Sequence, residues 1–567
     1  MTVRAIRLEN FMAFADTDWI ELLPISLLFG RNSSGKSAFI RALRLLKQSR
    51  TSPPDALPTQ FPLTFFREHG LDQGGFENTV NLRQLEVEER EQDPPVRNPR
   101  QRVITFHLRC EFGGDVADKL LEYINRYLVE TEQPAITPGA APNPRWVDLS
   151  LGFAHSYDDD DDVKDWRVEL VRLDITCPWP VLATKLVVFG AARTGWEDIG
   201  DKTEDQKWWW PREWVAPYSD LLFDEDWNPN SPADNPADLL MLPLSGFLAT
   251  MRAPLELLQV GALKQTVGMA FIARLMAELS TVIYQFLKDI QYLGPVRPEP
   301  ERLYRFNAVD ATAWREAGWG SYLDFLSLKL SDTSLIDQIG EWFDYLDLGP
   351  AVRPEAVGLG QGFLSQVSVF ENSDGVPYNL RDVGFGASQV LPVIVQSLLA
   401  RPGSLVIIEQ PELHLHPHAQ AQLADSFLRA IYSHKRGIAE FQSSSEEHGY
   451  DSDKDSALKP SGVHFLLETH SEHLLLRFQR RIAETRLNRR AHNQYKWHLT
   501  ESDLCACLVD RKDGVSTCEL ILVNEWGEFV TEPEGFVEFF GDDFAEVMKM
   551  GQARSEWEGE QDNDIVM

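Results

Sequence analysis

The chain has 567 residues, enough for two to four units that each bury a real core, which excludes a single small module. Lysine and arginine number 54 against 87 aspartate and glutamate, a formal charge of −33, so any nucleic-acid site must be a local patch on an acidic surface. With 43% hydrophobic and 11% aromatic residues and no apolar run near the ~18 residues of a membrane span, neither disorder nor a transmembrane segment fits.

The opening MTVRAIRLENF has no charged region followed by an apolar one, and the five cysteines (Cys110, Cys177, Cys505, Cys507, Cys518) form neither a metal-ligand spacing nor a disulfide framework. Both features predict a cytoplasmic, reduced chain. Residues 3–8 and 24–29 are short apolar strands, and the second runs into the glycine loop GRNSSGKS at 30–37 and then a helical segment, SAFIRALRLLKQ. Alternating runs over about 79–112 and 146–190 predict a mostly antiparallel sheet. The five aspartates Asp158–Asp162 read as a solvated loop, and Trp208, Trp209 and Trp210 as pins of an irregular insertion, with stacking on bases or a partner as the alternative.

From 238 to 292 the pattern is helical without a heptad array, so the insertion is compact. Further helices and then strands near 364–380 follow. The acidic, Ser-rich stretch 440–460 reads as a surface insertion. Cys505 and Cys507 alternate along a strand and share one of its faces. Composition shifts divide the chain at 1–194, 195–345, 346–490 and 491–567, the last a short C-terminal domain with an acidic tail.

The segment 30–37 fits G-x-x-x-x-G-K-[ST] between a strand and a helix, the context in which that pattern binds phosphate. Gly30 and Gly35 let the backbone fold around phosphates, and the amides of Asn32, Ser33 and Ser34 face the anion. Lys36 reaches the β- and γ-phosphates and Ser37 can ligate Mg²⁺. The apolar run Leu405–Ile408 ends at Glu409, the acid such a fold needs at a neighbouring strand end to hold Mg²⁺. ATP and Mg²⁺ are therefore the expected ligands. His414, His416 and His418 alternate, which on a strand would put three imidazoles on one face as metal ligands. Arg477, Arg480, Arg481, Arg486, Arg489 and Arg490 form the densest basic run, a possible DNA contact, a solvated helix face or a dock for an acidic partner.

Together, the loop with Asn32, the opening IRLENFMAF, the run EQPELHLHP and the later LLETHSEHLL resemble the SMC/RecF-like branch of ABC ATPases. The resemblance is strongest to the OLD (overcoming lysogenization defect) family and to ATPase subunits of antiphage systems such as Septu and PARIS. It spans about residues 1–110 and 290–485. It implies an α/β ABC-type ATPase head: a P-loop α/β core, an antiparallel β subdomain, a compact helical insertion and a short α+β C-terminal domain.

The same resemblance implies that Gly384, Gly386, Ser388 and Gln389 form a signature segment that contacts the γ-phosphate held by a second subunit, in an ATP-sandwiched homodimer or larger oligomer. Without the resemblance, Ser388 reads as an ordinary helix cap. His470 would sense the γ-phosphate, Gln73 would meet Mg²⁺ or the attacking water, and His416 would hydrogen-bond across the dimer interface. The family's water-polarising glutamate is replaced by Gln410, so either Glu412 is the base or turnover is slow. The C-terminal segment is too short for a Toprim nuclease and has no acidic nuclease set, so an effector would be separately encoded. The rival expectations are a RecF-like DNA repair or maintenance ATPase and a nucleotide-gated interaction module with little turnover.

Overall fold

The computed structural model describes residues 2–50, 63–65, 72–81 except 74 and 77, 103–111, 146–156, 167–176, 267–305 except 298, 320–326, 333–357 except 350, 364–370, 375–432, 462–488 and 499–530. The aspartate run, the three consecutive tryptophans, the stretch 440–460, Cys177, Arg489, Arg490 and the acidic tail lie outside them.

In chain order the first elements are β1 (Thr2–Phe11), β2 (Phe14–Asp16), β3 (Ile20–Glu21), β4 (Ile25–Phe29), α1 (Lys36–Ser49), β5 (Val103–Glu111), β6 (Trp146–Ser156) and β7 (Arg167–Thr176). Then come α2 (Val267–Asp289), β8 (Gln291–Leu293), β9 (Tyr304–Arg305), α3 (Gly320–Leu326), α4 (Thr333–Tyr345), β10 (Ala351–Ala356), β11 (Leu364–Phe370) and β12 (Pro377–Asn379). The last are α5 (Phe385–Leu398), β13 (Leu405–Glu409), α6 (Pro417–Tyr432), β14 (His464–Glu468), α7 (Glu472–Asn488), β15 (Leu504–Lys512) and β16 (Val515–Ile521).

A twelve-stranded mixed sheet runs in the order β7-β6-β5-β1-β2-β16-β15-β4-β14-β13-β8, with β3 beside β1. Its centre is parallel: β4 pairs with β14 and β15, and β13 with β14 and β8. Every residue of β4 and β13 is buried, the continuous apolar pattern expected of strands covered on both faces. The wing β1-β5-β6-β7 is antiparallel, the β subdomain expected from the alternating runs. The architecture is thus the α/β core with an antiparallel extension foreseen from the sequence.

Helices α5, α6 and α7 close one core with Val390, Leu391, Ile394, Phe427, Leu474 and Phe478 packed against the strands. Fully burying side chains of this size stabilises by about 1.5–3 kcal/mol each. The hairpin β15–β16, expected within a separate C-terminal domain, lies inside the central sheet beside β4. Gly30 permits that closeness: its φ is +145° and a Cβ there would sit 2.1 Å from the Val509 carbonyl oxygen.

The basic run is not a free cationic surface among the described residues. Asp425, on α6 and wholly buried, accepts from Arg477 Nη2 and Arg481 Nη2, both at 2.7 Å, and from the Tyr345 hydroxyl at 2.9 Å. Arg480 pairs with Glu484 at 2.8 Å and Arg486 with Glu525 at 2.8 Å. Four of the six arginines therefore pair with carboxylates of their own chain, and Arg489 and Arg490 lie outside the described residues.

Removing a buried carboxylate that holds two guanidinium groups leaves uncompensated charge in the interior. Asp425→Ala should therefore destabilise the fold by about 3–5 kcal/mol, read as a fall in the urea unfolding midpoint. A midpoint equal to wild type would make the network energetically idle.

Candidate functional site

The chain leaves β4 at Phe29, turns through Gly30–Gly35 and enters α1 at Lys36, so the loop amides and the helix N-terminus face one side of the sheet. Ser33 and Gly35 have positive φ, +63° and +117°, the curvature that folds the loop around an anion. Lys36 is buried, and its Nζ donates to the carbonyls of Gly30 and Arg31, both at 2.8 Å. Burial holds its pKa below the ordinary lysine value, against the opposing pull of Glu468 and Glu412.

Two parallel strands end beside this loop. β13 and β14 are in register with Glu409 opposite Glu468, which puts two carboxylates side by side at neighbouring strand ends. Glu468 accepts from the Ser37 hydroxyl through both oxygens, at 3.0 and 3.2 Å. Glu409 accepts from the Tyr292 hydroxyl at 2.7 Å, and the Arg44 guanidinium lies 3.8 Å over the Tyr292 ring. Burial raises both carboxyls, and for Glu468 the neighbouring Glu409 adds to it, pushing it up to about 7.

A cleft of about 620 Å³ is lined by the loop residues Asn32, Ser33, Ser34, Gly35, Lys36 and Ser37 and, opposite them, by Glu409, Gln410, Glu468 and His470. Ser37 hydroxyl and two carboxylates form an oxygen donor set that suits a hard divalent cation, which takes one or two carboxylates alongside phosphate oxygens. The residues present therefore fit Mg²⁺.

Gln410 faces the cleft with φ +48°, its backbone held by the Glu468 carbonyl, which accepts from Gln410 N at 2.7 Å. Buried Arg297 donates through Nη2 to the carbonyls of Glu409 and Gln410, at 3.1 and 3.0 Å. Glu412 is differently placed. It does not line the cleft, one oxygen accepts from the His470 backbone amide at 2.8 Å, and Oε2 is buried without a hydrogen-bond partner. Burial raises its carboxyl above the usual range. His470 lines the cleft, and burial first, then Lys36, lowers its pKa and favours the neutral ring.

The remaining candidates do not join the cleft. Gln73 spends its side chain on the Arg41 carbonyl, at 3.4 Å, and on the Thr79 hydroxyl, at 3.1 Å, so the structure does not bring it to the metal side. His414, His416 and His418 are exposed on the loop into α6 and its first turn, not on a strand, and no group of three or more His, Cys, Asp or Glu side chains placed to hold a metal ion occurs among the described residues. Gly384, Gly386, Ser388 and Gln389 stand at the start of α5, outside the cleft of their own chain. The cap is Gly384, whereas the Ser388 hydroxyl donates back to the Phe385 carbonyl at 2.8 Å. A Cβ on Gly386 would lie 2.9 Å from the His414 carbonyl, so glycine there lets α5 meet the loop after β13.

Sequence reasoning missed Glu468, Tyr292, Arg297 and Arg511. For Glu468 a signal existed: HFLLE repeats the apolar-run-then-acid form of LVIIE. Arg511 lines the same cleft from the end of β15.

Residues 288–477 match the model of a family described as "AAA domain, putative AbiEii toxin, Type IV TA system". No curated protein matches the chain. Among solved structures, the chain is similar to a Smc head bound to the C-terminal winged-helix domain of ScpA, 10% identical, covering 92% of this chain and 98% of that one, with a TM-score of 0.33. It is also similar to the SMC head domain from Thermotoga maritima, 8% identical over 92% and 100%, TM-score 0.31. A third is a Smc head with an extended coiled coil bound to the C-terminal domain of ScpA, derived from Pyrococcus furiosus: 10% identical over 92% and 96%, TM-score 0.33.

The raised carboxyl of Glu468 has a stability consequence with a definite sign. Its ordinary value is 4.5 and its folded value about 7, so between them the folded chain keeps a proton that the unfolded chain has released. The contribution is whole below the lower value and is lost as pH rises through the upper. Without divalent cations, Glu468→Gln should therefore gain melting temperature relative to wild type between about pH 5 and about pH 8. A difference that does not change with pH would show that Glu468 titrates as an ordinary carboxylate.

Proposed function

We propose that this protein is an ABC-type ATPase that binds ATP with Mg²⁺ and hydrolyses it slowly, using the loop 30–37 for the phosphates and Ser37, Glu409 and Glu468 around the cation. The observation that carries the reading is the convergence of Lys36, Ser37, Glu409, Glu468 and His470 on one cleft at the ends of parallel strands. Bound Mg²⁺ would neutralise charge that builds on the phosphates. The chain's own part is to orient: the loop amides and Lys36 fix the phosphates, Tyr292 and Arg297 hold Glu409 and the turn after it, and neutral His470 offers a hydrogen bond beside Gln410.

The same geometry supports the reading of slow turnover. Gln410 can hold water by hydrogen bonds but cannot take its proton, and Glu412 lies outside the cleft lining, with one oxygen accepting from the His470 amide. A positioned base is worth about 10²–10⁴-fold. A signature segment standing apart from its own chain's cleft supports a dimer in which it completes a partner's site. The wider role we propose is a sensor or scaffold subunit of a bacterial antiphage system that controls a separately encoded effector. It is supported by the OLD-like motifs and by the toxin wording of the matched family's description. The four described arginines of the basic run, paired within the chain, give the DNA-loading alternative no support.

Lys36→Ala should abolish tight ATP binding measured calorimetrically while the melting temperature without nucleotide stays near wild type, because backbone amides alone only partly offset the phosphate charge. Unchanged affinity in the folded variant would remove the loop from the site.

In single-turnover hydrolysis, Gln410→Glu should be faster than wild type, and Glu412→Gln should remain within a few-fold of it, since an amide oxygen can still accept from His470. A loss of about 10²–10⁴-fold in Glu412→Gln would instead identify Glu412 as the base.

A further inference from the structure

The phosphate loop is not supported by its own strand and helix alone. β15 lies in parallel register with β4, Leu508 opposite Phe29, and its Val509 carbonyl oxygen fills the space where Gly30 lacks a side chain. β16 returns antiparallel to β15, and its buried Ser516 donates through the hydroxyl to the Ser34 carbonyl, while Ser516 N donates to the Ala13 carbonyl at 2.8 Å. The hairpin therefore buttresses the loop on the side opposite β14. It also delivers a cation: Arg511, exposed in the last residues of β15, donates through Nη1 to the Ser33 carbonyl and through Nε to the Gly514 carbonyl, both at 3.3 Å.

We infer that Arg511 is a nucleotide-binding residue, a guanidinium supplied from the C-terminal hairpin of the same chain to the phosphates of ATP held by the loop. The inference rests on the loop 30–37 being a nucleotide site and adds a contact to it. Three facts converge on it. Arg511 lines the cleft together with Asn32, Lys36 and Ser37. It forms no ion pair among the described residues, unlike Arg477, Arg480, Arg481 and Arg486. Its two hydrogen bonds are long and go to neutral carbonyls, so a multiply charged phosphate in reach is the better acceptor for a planar, fork-shaped donor. Lys36 is buried near the Glu468 and Glu412 charges, whereas Arg511 reaches the loop from the exposed end of β15 and shares the cleft with Arg41.

The test measures ATP, ADP and AMP affinity with Mg²⁺ on the full chain, for wild type, Arg511→Ala, Arg511→Glu and Lys36→Ala. A charge-assisted hydrogen bond lost from an accessible site should weaken ATP by about tenfold to hundredfold in Arg511→Ala. Arg511→Glu should be weaker still, AMP should change least, and the salt dependence of ATP binding should flatten relative to wild type. Because the side chain is exposed, the melting temperature without nucleotide should hold; if it falls in Arg511→Ala, Arg511→Gln keeps a shorter neutral donor near the Nε position, and carries the same comparison. ATP affinity within twofold of wild type in a folded Arg511 variant, with Lys36→Ala still losing binding, overturns this inference alone. If Lys36→Ala also binds normally, the nucleotide site itself is misplaced and both readings fall.

Discussion

The structure turns on two carboxylates buried side by side. Glu409 and Glu468 face each other across adjacent parallel strands, where desolvation and mutual repulsion both disfavour charge. Burying such a pair costs free energy that nothing in the strands themselves returns. What offsets it is local: the Tyr292 hydroxyl on one, the Ser37 hydroxyl on the other, and the charge of Lys36 nearby. Much of the molecule serves that arrangement. β8 exists in the sheet at the place that carries Tyr292 to Glu409, and the segment after it carries Arg297 to the turn carbonyls. A site strained by like charge before any ligand binds is well matched to a divalent cation, because the cation removes the repulsion that folding left in place.

How much of this was legible in the sequence depended on the range of the interactions. The phosphate loop was readable because its chemistry is contiguous: Gly30, Gly35, Lys36 and Ser37 sit within eight residues, flanked by a strand and a helix that announce themselves by period. Glu409 was readable as an acid at a strand end. Glu468 shares that form but stands two residues before His470, and the resemblance drew the reading to the histidine. Gln73 was misread for the opposite reason, since a glutamine near glycines in sequence carries no sign of the Thr79 hydroxyl that occupies it. Likewise the arginine run was visible as charge, but Asp425, about fifty residues upstream, was not visible as its counter-ion. Charge spacing in one helix reports what the helix carries and not what is packed against it.

The loop after β13 shows how one turn can place several groups at once. Gln410 adopts a positive φ that turns its side chain into the cleft, while Glu412 faces back to the amide of His470. The two strand-end loops are thus tied to each other, one through a carboxylate and the other through a backbone N–H. The next residues meet the start of α5, where Gly386 allows backbone contact with His414 and the exposed Phe385 ring lies edge-on to the His414 ring at 4.7 Å. The turn after β13 thus touches both the loop after β14 and the start of α5, through contacts that are few and directional.

The least legible feature is the one with the longest reach. β15 enters the sheet beside β4 although some 475 residues separate them, and strand partners that distant leave no mark in either segment. The consequence is that the loop is held from both flanks, by β14 with Glu468 on one side and by β15–β16 with Ser516 and Arg511 on the other. Beyond the hairpin, Gly527 packs so closely on α7 that a Cβ would lie 2.2 Å from the Gln479 carbonyl, and Arg486 of α7 pairs with Glu525. The C-terminal segment thus touches the phosphate loop at one end and, at the other, the helix that follows His470. The hairpin and the residues just after it therefore join the loop 30–37 to the helix after His470 within one chain, through contacts made far apart in sequence.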